Sequence, residues 1–323
     1  MASPSPAADQ IAHRLLQLPA DDALALIFPG QGSQKTGMGA EVCEASPAAR
    51  EVFALADETL GFEISTVCQQ GPDDELTKTA NTQPAILTTS LAILATALES
   101  GALARCPRFT AGHSLGQYTA LVAAGSLAPA DAISLVRERG RLMGEAKTGT
   151  MAAVVGLEAD AVEALCRETG AEVANYNGPT QTVVGGEPAA VEKACELAKE
   201  RGGRGLPVNV SGAFHTSLMA PAAREFARFL DEVTIADPRI PAIGNLTARP
   251  LTTADEVRTD LREQIRAPVR WYQSMNHLES VGVRDVIELG PNRLLTTQLK
   301  RSNPDLEATS LDEAAALKAA SSV

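Results

Sequence analysis

Aromatic side chains are scarce in this chain of 323 residues: one Trp, three Tyr and seven Phe amount to 3% of it. Apolar residues still make up 45%, a globular composition, so the core must be built mainly from Ala, Leu, Val and Ile. Positive charge is short as well, with 28 Lys and Arg against 40 Asp and Glu, a net charge of −12. Phosphate backbones bind basic surfaces, which argues against a nucleic-acid partner. An acidic protein partner would have to dock on a local basic patch, which composition does not display. The five cysteines, Cys43, Cys68, Cys106, Cys166 and Cys195, are odd in number, scattered and without a CxxC pair. This speaks against a disulfide framework or a metal site and for reduced thiols in the cytoplasm. No apolar run approaches the roughly 18 residues of a membrane span. The first stretch, MASPSPAADQIAHRLLQLPADD, lacks the apolar segment of a secretion signal. No long internal repeat is present.

What is there alternates. ALALIFPG (23–30) is a short apolar run stopped by Pro and Gly, the pattern of a buried strand. QPAILTTSLAILATALESG (83–101) is too long for a strand and ends in Gly, so it reads as a mostly buried helix. RFTAG (108–112) is another short strand, LGQYTALVAAG after it is helical, and PADAISLVRERGRLMGEA (129–146) is a further helix. Such alternation predicts a parallel sheet covered on both faces. Between 149 and 211 the order reads strand, helix, strand, strand, helix, strand, with a turn at Gly178 and Pro179. That is the split β-α-β-β-α-β of ferredoxin-like domains. After Gly212 the alternation resumes, with helices around 219–232, 256–266 and 271–281, strands at 241–245 and 283–290, and a last helix from about Leu294. The predicted organisation is therefore an α/β, hydrolase-like parallel-sheet domain (23–148 and 212–312) interrupted by a small ferredoxin-like domain (149–211). Positions 1–22 read as a poorly ordered leader, and 313–323 as a frayed or loosely helical tail.

GHSLG (112–116) fits G-x-S-x-G between a predicted strand and a predicted helix, the context of a nucleophile elbow. The turn needs small flanking residues, hence Gly112 and Gly116. It lifts the Ser114 hydroxyl clear of the backbone and turns the Leu115 amide to where an oxyanion would form. A Gly-rich turn with an N-capping serine has the same letters; the strand–turn–helix context favours the elbow. A serine hydroxyl needs a base. Of the four histidines, His13 lies in the leader and His277 in the polar stretch SMNHLES, where exposure is expected. His113 adjoins the serine but points elsewhere on a tight turn, which suits a structural or supporting role. His215, in SGAFHTSLM at the domain junction, is the best base by elimination, although it also reads as a helix-start residue.

Three separated segments, FPGQGSQKTGMG (28–39), GHSLGQYTAL (112–121) and GAFHTSLM (212–219), together resemble the malonyl-CoA:acyl carrier protein transacylases. The resemblance covers roughly residues 23–312. It implies that Ser114 is the nucleophile that carries the acyl group as an ester, and His215 its base. It implies that a main-chain carbonyl, that of Gln264 or a close neighbour, holds the other imidazole nitrogen. Gln31 matches the residue whose amide completes the oxyanion hole beside Leu115; a strand ending in Pro-Gly-Gln-Gly suits close backbone approach, and equally a plain Gly-rich turn. Arg139 in LVRERGRLM matches the arginine that grips the malonyl carboxylate, a role that a planar bidentate fork fits. Without the resemblance it would read as a solvated helix face, with Arg137 and Arg141 nearby. Phe214 matches the position tied to the size of the acyl group, where an aromatic suits malonyl and crowds methylmalonyl. Gln83, Asn177 and Asn245 match recurring polar positions. One residue departs from the pattern: the family usually has Glu after GHSLG, and here it is Gln117, which reads as tuning hydrogen bonds around the site.

The expected activity is ping-pong transfer of malonyl from malonyl-CoA to the phosphopantetheine thiol of an acyl carrier protein, in fatty acid biosynthesis. No metal or bound organic cofactor is expected, and the chain reads as a cytoplasmic monomer with no membrane partner. A free-standing acyltransferase loading polyketide synthase carriers shares every motif. A serine thioesterase shares Ser114 and His215 but not the need for Arg139, and a carrier-docking subunit with a relic site needs none of the three.

Overall fold

The computed structural model describes residues 10–210 and 212–318. Its larger layer is a six-stranded sheet in the order β10-β9-β1-β2-β7-β8. The strands are β1 (Ala20–Phe28), β2 (Cys106–Gly112), β7 (Ala242–Ile243), β8 (Pro250–Leu251), β9 (Asp285–Leu289) and β10 (Glu307–Leu311). All neighbours pair in parallel except β7 with β8. Leu24 to Phe28 of β1 are fully buried, as a central parallel strand covered on both faces must be. The second sheet, β4-β5-β3-β6, holds β3 (Thr150–Val155), β4 (Glu172–Gly178), β5 (Gln181–Gly186) and β6 (Arg204–Val208). All its pairs are antiparallel, and helices Ala159–Thr169 and Pro188–Glu200 pack on it over Ala152, Val154, Leu165 and Ala194. Its edge strand β4 meets the segment around Val269, through Tyr176 N–H to the Val269 carbonyl and Val269 N–H to the Ala174 carbonyl, both 2.9 Å.

The register of β1 on β2 places Phe28 opposite Gly112. The loop from Pro29 to Gln31 and the turn from Gly112 to Ser114 therefore leave the sheet side by side, at the carboxyl ends of parallel strands where ligands bind in such folds. Close approach makes the glycines necessary: a Cβ on Gly116 would stand 2.1 Å from the Phe28 carbonyl oxygen, and one on Gly30 2.5 Å from that of His113.

Helix Thr79–Ser100 is buried along nearly its whole length, from Thr79 to Ala97. Pro84 lies inside it and cannot donate to the carbonyl four residues back. That carbonyl, of Ala80, takes Arg137 Nη1 instead at 2.9 Å. The neighbouring helix Pro129–Glu145 comes close enough that a Cβ on Gly140 would stand 2.5 Å from the Thr79 carbonyl oxygen. This contact brings Arg139 against Gln83.

Two parts of the expected organisation are corrected. The poorly ordered leader assigned to 1–22 is not found in its described part: residues 1–9 lie outside the described ones, but Ile11–Leu16 is a helix and β1 already begins at Ala20. Ile11 and Leu15 sit four positions apart on one helix face and are both buried, a pairing too short to register as periodicity. The tail, expected to be frayed or loosely helical, is helix over Glu313–Lys318 and docked rather than loose, with residues 319–323 outside the described ones. The buried Glu313 carboxylate accepts N–H groups of Gly39, Glu41 and Val42, so it caps helix Ala40–Ala45 from the far end of the chain.

Two glycines one turn apart should respond oppositely to an added methyl. Gly140→Ala meets immovable backbone and should cost about 1–3 kcal/mol. Gly144→Ala meets only Thr79 Cβ at 3.5 Å and should be neutral or stabilising by up to about 1 kcal/mol, the helix-propensity difference. Urea unfolding of the two variants checks the contrast.

Candidate active site

Ser114 has φ 52° and His215 φ 62°, left-handed conformations that cost a non-glycine residue energy. Among the described residues only Ala248 shares that region without being a glycine. The strained pair meets: Ser114 Oγ lies 2.8 Å from His215 Nε2. Ser114 is held from below, its N–H donating to Asn245 Oδ1 at 2.7 Å while Asn245 Nδ2 donates to the Gly112 carbonyl at 2.7 Å. His215 is held by its own N–H on the Ile265 carbonyl and by the contact of Nδ1 with the Gln264 carbonyl at 2.7 Å. A carbonyl only accepts, so Nδ1 carries the proton and Nε2 accepts from the serine hydroxyl. The His215 pKa is pushed down to about 3, first by burial, then by the Arg139 charge, with the Gln264 carbonyl opposing. A neutral imidazole facing a hydroxyl is the state a general base requires.

Arg139 is 1% exposed. Its Nη1 donates to Gln83 Oε1 at 2.8 Å, and its Nη2 to Ser114 Oγ at 3.0 Å and Gln264 Oε1 at 2.9 Å. The guanidinium lies 5.6 Å from the Tyr118 ring centre, and its Nε meets no acceptor among the described residues. Every hydrogen-bond partner is neutral. Burial pulls its pKa below the ordinary value, yet a guanidinium stays protonated. A buried cation without a direct counter-ion is costly, and an incoming carboxylate would relieve that cost.

Of the expected residues, Ser114, His215, Gln31, Leu115, Arg139, Gln83, Phe214 and Asn177 line one cavity of about 190 Å³. Gln264 stands behind its wall, buried, and donates from Nε2 to the Ser114 carbonyl at 2.9 Å. Among the described residues neither the N–H of Gln31 nor that of Leu115 meets an acceptor, so two donors border the cavity beside the serine. Leu115 also precedes helix Gly116–Ala123, whose positive dipole end faces that point. His113 does not face the serine: its Nε2 lies 2.9 Å from Asn177 Oδ1, and its ring packs edge-on to Trp271 at 5.6 Å. It ties the elbow to the small sheet. His13 is exposed on the first helix and His277 is only partly exposed, 3.3 Å from Arg249; both lie outside the cavity. Among the described residues no three His, Cys, Asp or Glu form a metal-holding group, and no helix is long and apolar enough to cross a membrane.

Asp260 escaped sequence reasoning. It is 2% exposed, and accepts Gln117 Nε2 at 2.7 Å, Asn245 N–H at 3.2 Å and Leu246 N–H at 3.1 Å. The available signal was spacing: Asp260 and Gln264 lie four apart on the face of helix Ala254–Gln264 that also buries Val257 and Leu261.

The pattern of the acyl transferase domain family matches residues 25–318. The malonyl CoA-acyl carrier protein transacylase of Bacillus subtilis (strain 168) is 44% identical over 299 residues, covering 90% of this chain and 93% of that protein. The crystal structure of an acyl carrier protein S-malonyltransferase from Vibrio cholerae superposes with a TM-score of 0.88 at 38% identity, over 92% of this chain and 99% of that one. A type II polyketide synthase acyl-carrier protein in complex with its malonyl-transacylase gives the same TM-score and identity, over 94% of this chain and 100% of the matched one.

The His215 titration tests the electrostatics directly. Followed by NMR, the imidazole should stay neutral through the mildly acidic range and protonate only near pH 3. Arg139→Ala removes a positive charge that disfavours the imidazolium, so the titration should move to higher pH. No movement, or movement downward, would show that the guanidinium does not act on His215.

Proposed function

The chain belongs to the acyl transferase domain family, and on that premise we propose that it moves the malonyl group of malonyl-CoA to the phosphopantetheine thiol of an acyl carrier protein. The observation that carries this reading is the convergence of the Ser114–His215 pair and the buried Arg139 guanidinium on one cavity. The pair supplies a nucleophile for a thioester, and the guanidinium a seat for the carboxylate that distinguishes malonyl from acetyl. The names of the relatives support the same substrate and acceptor.

Ser114 Oγ attacks the thioester carbonyl while its proton passes to His215 Nε2. The oxyanion is met by the N–H groups of Gln31 and Leu115. Collapse breaks the carbon–sulfur bond, and the departing sulfur of CoA takes the proton from Nε2. The carrier thiol then gives its proton to His215, its sulfur attacks the ester, and Ser114 Oγ leaves with the proton returned. Each half replaces one acyl bond by another without oxidation or reduction, so the residues named are sufficient and no metal or organic cofactor is invoked. Seating the malonyl carboxylate also cancels the charge that depresses His215. The base therefore strengthens as the correct substrate arrives.

Phe214 is buried against the cavity and leaves limited room beside the acyl carbon, which favours malonyl over branched homologues. We place the transfer in fatty acid biosynthesis, and the polyketide carrier complex among the solved relatives supports loading of polyketide carriers as a second use of the same site. Five free thiols support a cytoplasmic location.

With labelled malonyl-CoA alone, label should remain on Ser114 as an ester, and it should move to the carrier when carrier is added. Rapid release as free malonate regardless of carrier would make the protein a hydrolase. Arg139→Ala should lower malonyl loading about 10–150-fold, the worth of charged hydrogen bonds at roughly 1.5–3 kcal/mol, and turn preference toward uncharged acyl groups. An unchanged preference in that variant would remove the guanidinium from substrate recognition.

A further inference from the structure

Among the described residues Arg139 has no carboxylate beside it, yet a buried carboxylate lies at the end of an unbroken row of hydrogen bonds. Arg139 Nη2 donates to Gln264 Oε1 at 2.9 Å, Gln264 Nε2 donates to Gln117 Oε1 at 2.5 Å, and Gln117 Nε2 donates to Asp260 Oδ1 at 2.7 Å. Every donor–acceptor step points the same way, from guanidinium to carboxylate. Asp260 accepts from all three of its partners, as the ionised form demands. Its fit is tight, since a Cβ on Gly244 would stand 2.6 Å from Asp260 Oδ2.

We propose that Asp260 is the remote counter-ion of Arg139, coupled to it through the side-chain amides of Gln117 and Gln264, and that this relay positions the guanidinium for a carboxylate-bearing acyl group. A carboxylate in direct contact would neutralise Arg139 and compete with substrate for its donors. Placed two amides away, it polarises the row, stabilises the buried cation and leaves the cavity side of the guanidinium for the ligand. The row also fixes amide orientation. With its Nε2 on Asp260, Gln117 can offer only its oxygen to Gln264, and Gln264 in turn can offer only its oxygen to Arg139. The Gln117 side chain, the one departure from the expected motif, is the residue that makes this order possible beside Asp260. An ionised carboxylate at 117 would face Asp260 with no donor between them. Gln117 and Asp260 are positioning residues, acting through Arg139.

This inference rests on the malonyl-transfer reading, and one experiment separates the two. Loading of Ser114 from malonyl-CoA and from acetyl-CoA is measured for the wild type, Asp260→Asn, Gln117→Leu, and Asp260→Asn in an Arg139→Ala background. The relay predicts that each single variant lowers the malonyl-to-acetyl ratio of kcat/KM by about tenfold or more, mainly through the malonyl KM. It predicts no further drop from Asp260→Asn once Arg139 is absent. A role confined to holding the elbow would reduce malonyl and acetyl loading in parallel, and that result, or an unchanged ratio, overturns the relay. If Asp260→Asn does not give a cooperative melt, Gln117→Leu decides alone. A wild-type protein that takes no malonyl on Ser114 sinks the activity itself, whereas normal wild-type loading with unchanged variant ratios sinks only the relay.

Discussion

The hydrogen bond of 2.8 Å between Ser114 Oγ and His215 Nε2 joins residues 101 positions apart, and much of the architecture serves to close it. The serine arrives on the turn after β2, forced into positive φ between glycines that have no room for a Cβ. The histidine arrives where the chain returns from the small antiparallel sheet, also at positive φ, with its backbone N–H on Ile265 and its ring on Gln264. Strained backbone at two residues in mutual contact persists only where the surroundings over-determine it. Here the surroundings are the paired ends of β1 and β2 and the helix that ends at Gln264.

Around that contact the electrostatics are uneven by construction. Burial and the Arg139 charge keep His215 neutral, so its Nε2 is free to accept the hydrogen bond of the serine hydroxyl across the ordinary pH range. The same guanidinium, surrounded by neutral oxygens, is incompletely compensated until an anion arrives. On the proposed reading, substrate binding changes the base as well as filling the pocket, and recognition of a carboxylate is linked to activation of the hydroxyl. The proposed relay to Asp260 accounts for how such a cation is tolerated without blocking its own ligand.

Much of this was legible from residues alone because the signals were local. GHSLG between a strand and a helix announces an elbow, and the alternation over 149–211 corresponds to the antiparallel sheet with its two helices. His215 emerged by elimination among four histidines. Other features rest on contacts between distant segments that leave no periodic trace. The first helix offers only Ile11 and Leu15 as a buried pair, and helices Ala40–Ala45, Ile64–Gln70 and Asp73–Thr77 are too brief for a pattern. Helix Pro47–Leu60, by contrast, carries a readable apolar face of Ala48, Ala49, Val52, Phe53 and Ala56 that escaped sequence reasoning. Glu313 looks like a tail residue until its carboxylate is seen on the amides of Gly39 and Val42. Asp260 looks like a surface charge in a polar helix, and Gln117 like a mere departure from a motif. The donor–acceptor order through Gln264 gives both a purpose, and order of that kind exists only in three dimensions.

The most direct test of the central claim is a crystal structure of the protein after reaction with malonyl-CoA in the absence of carrier. The account predicts continuous density from Ser114 Oγ into a malonyl ester, with its carbonyl oxygen on the N–H groups of Gln31 and Leu115 and its carboxylate within hydrogen-bond distance of the Arg139 guanidinium. An ester on another residue, or a malonyl carboxylate turned away from Arg139 toward solvent, would contradict it.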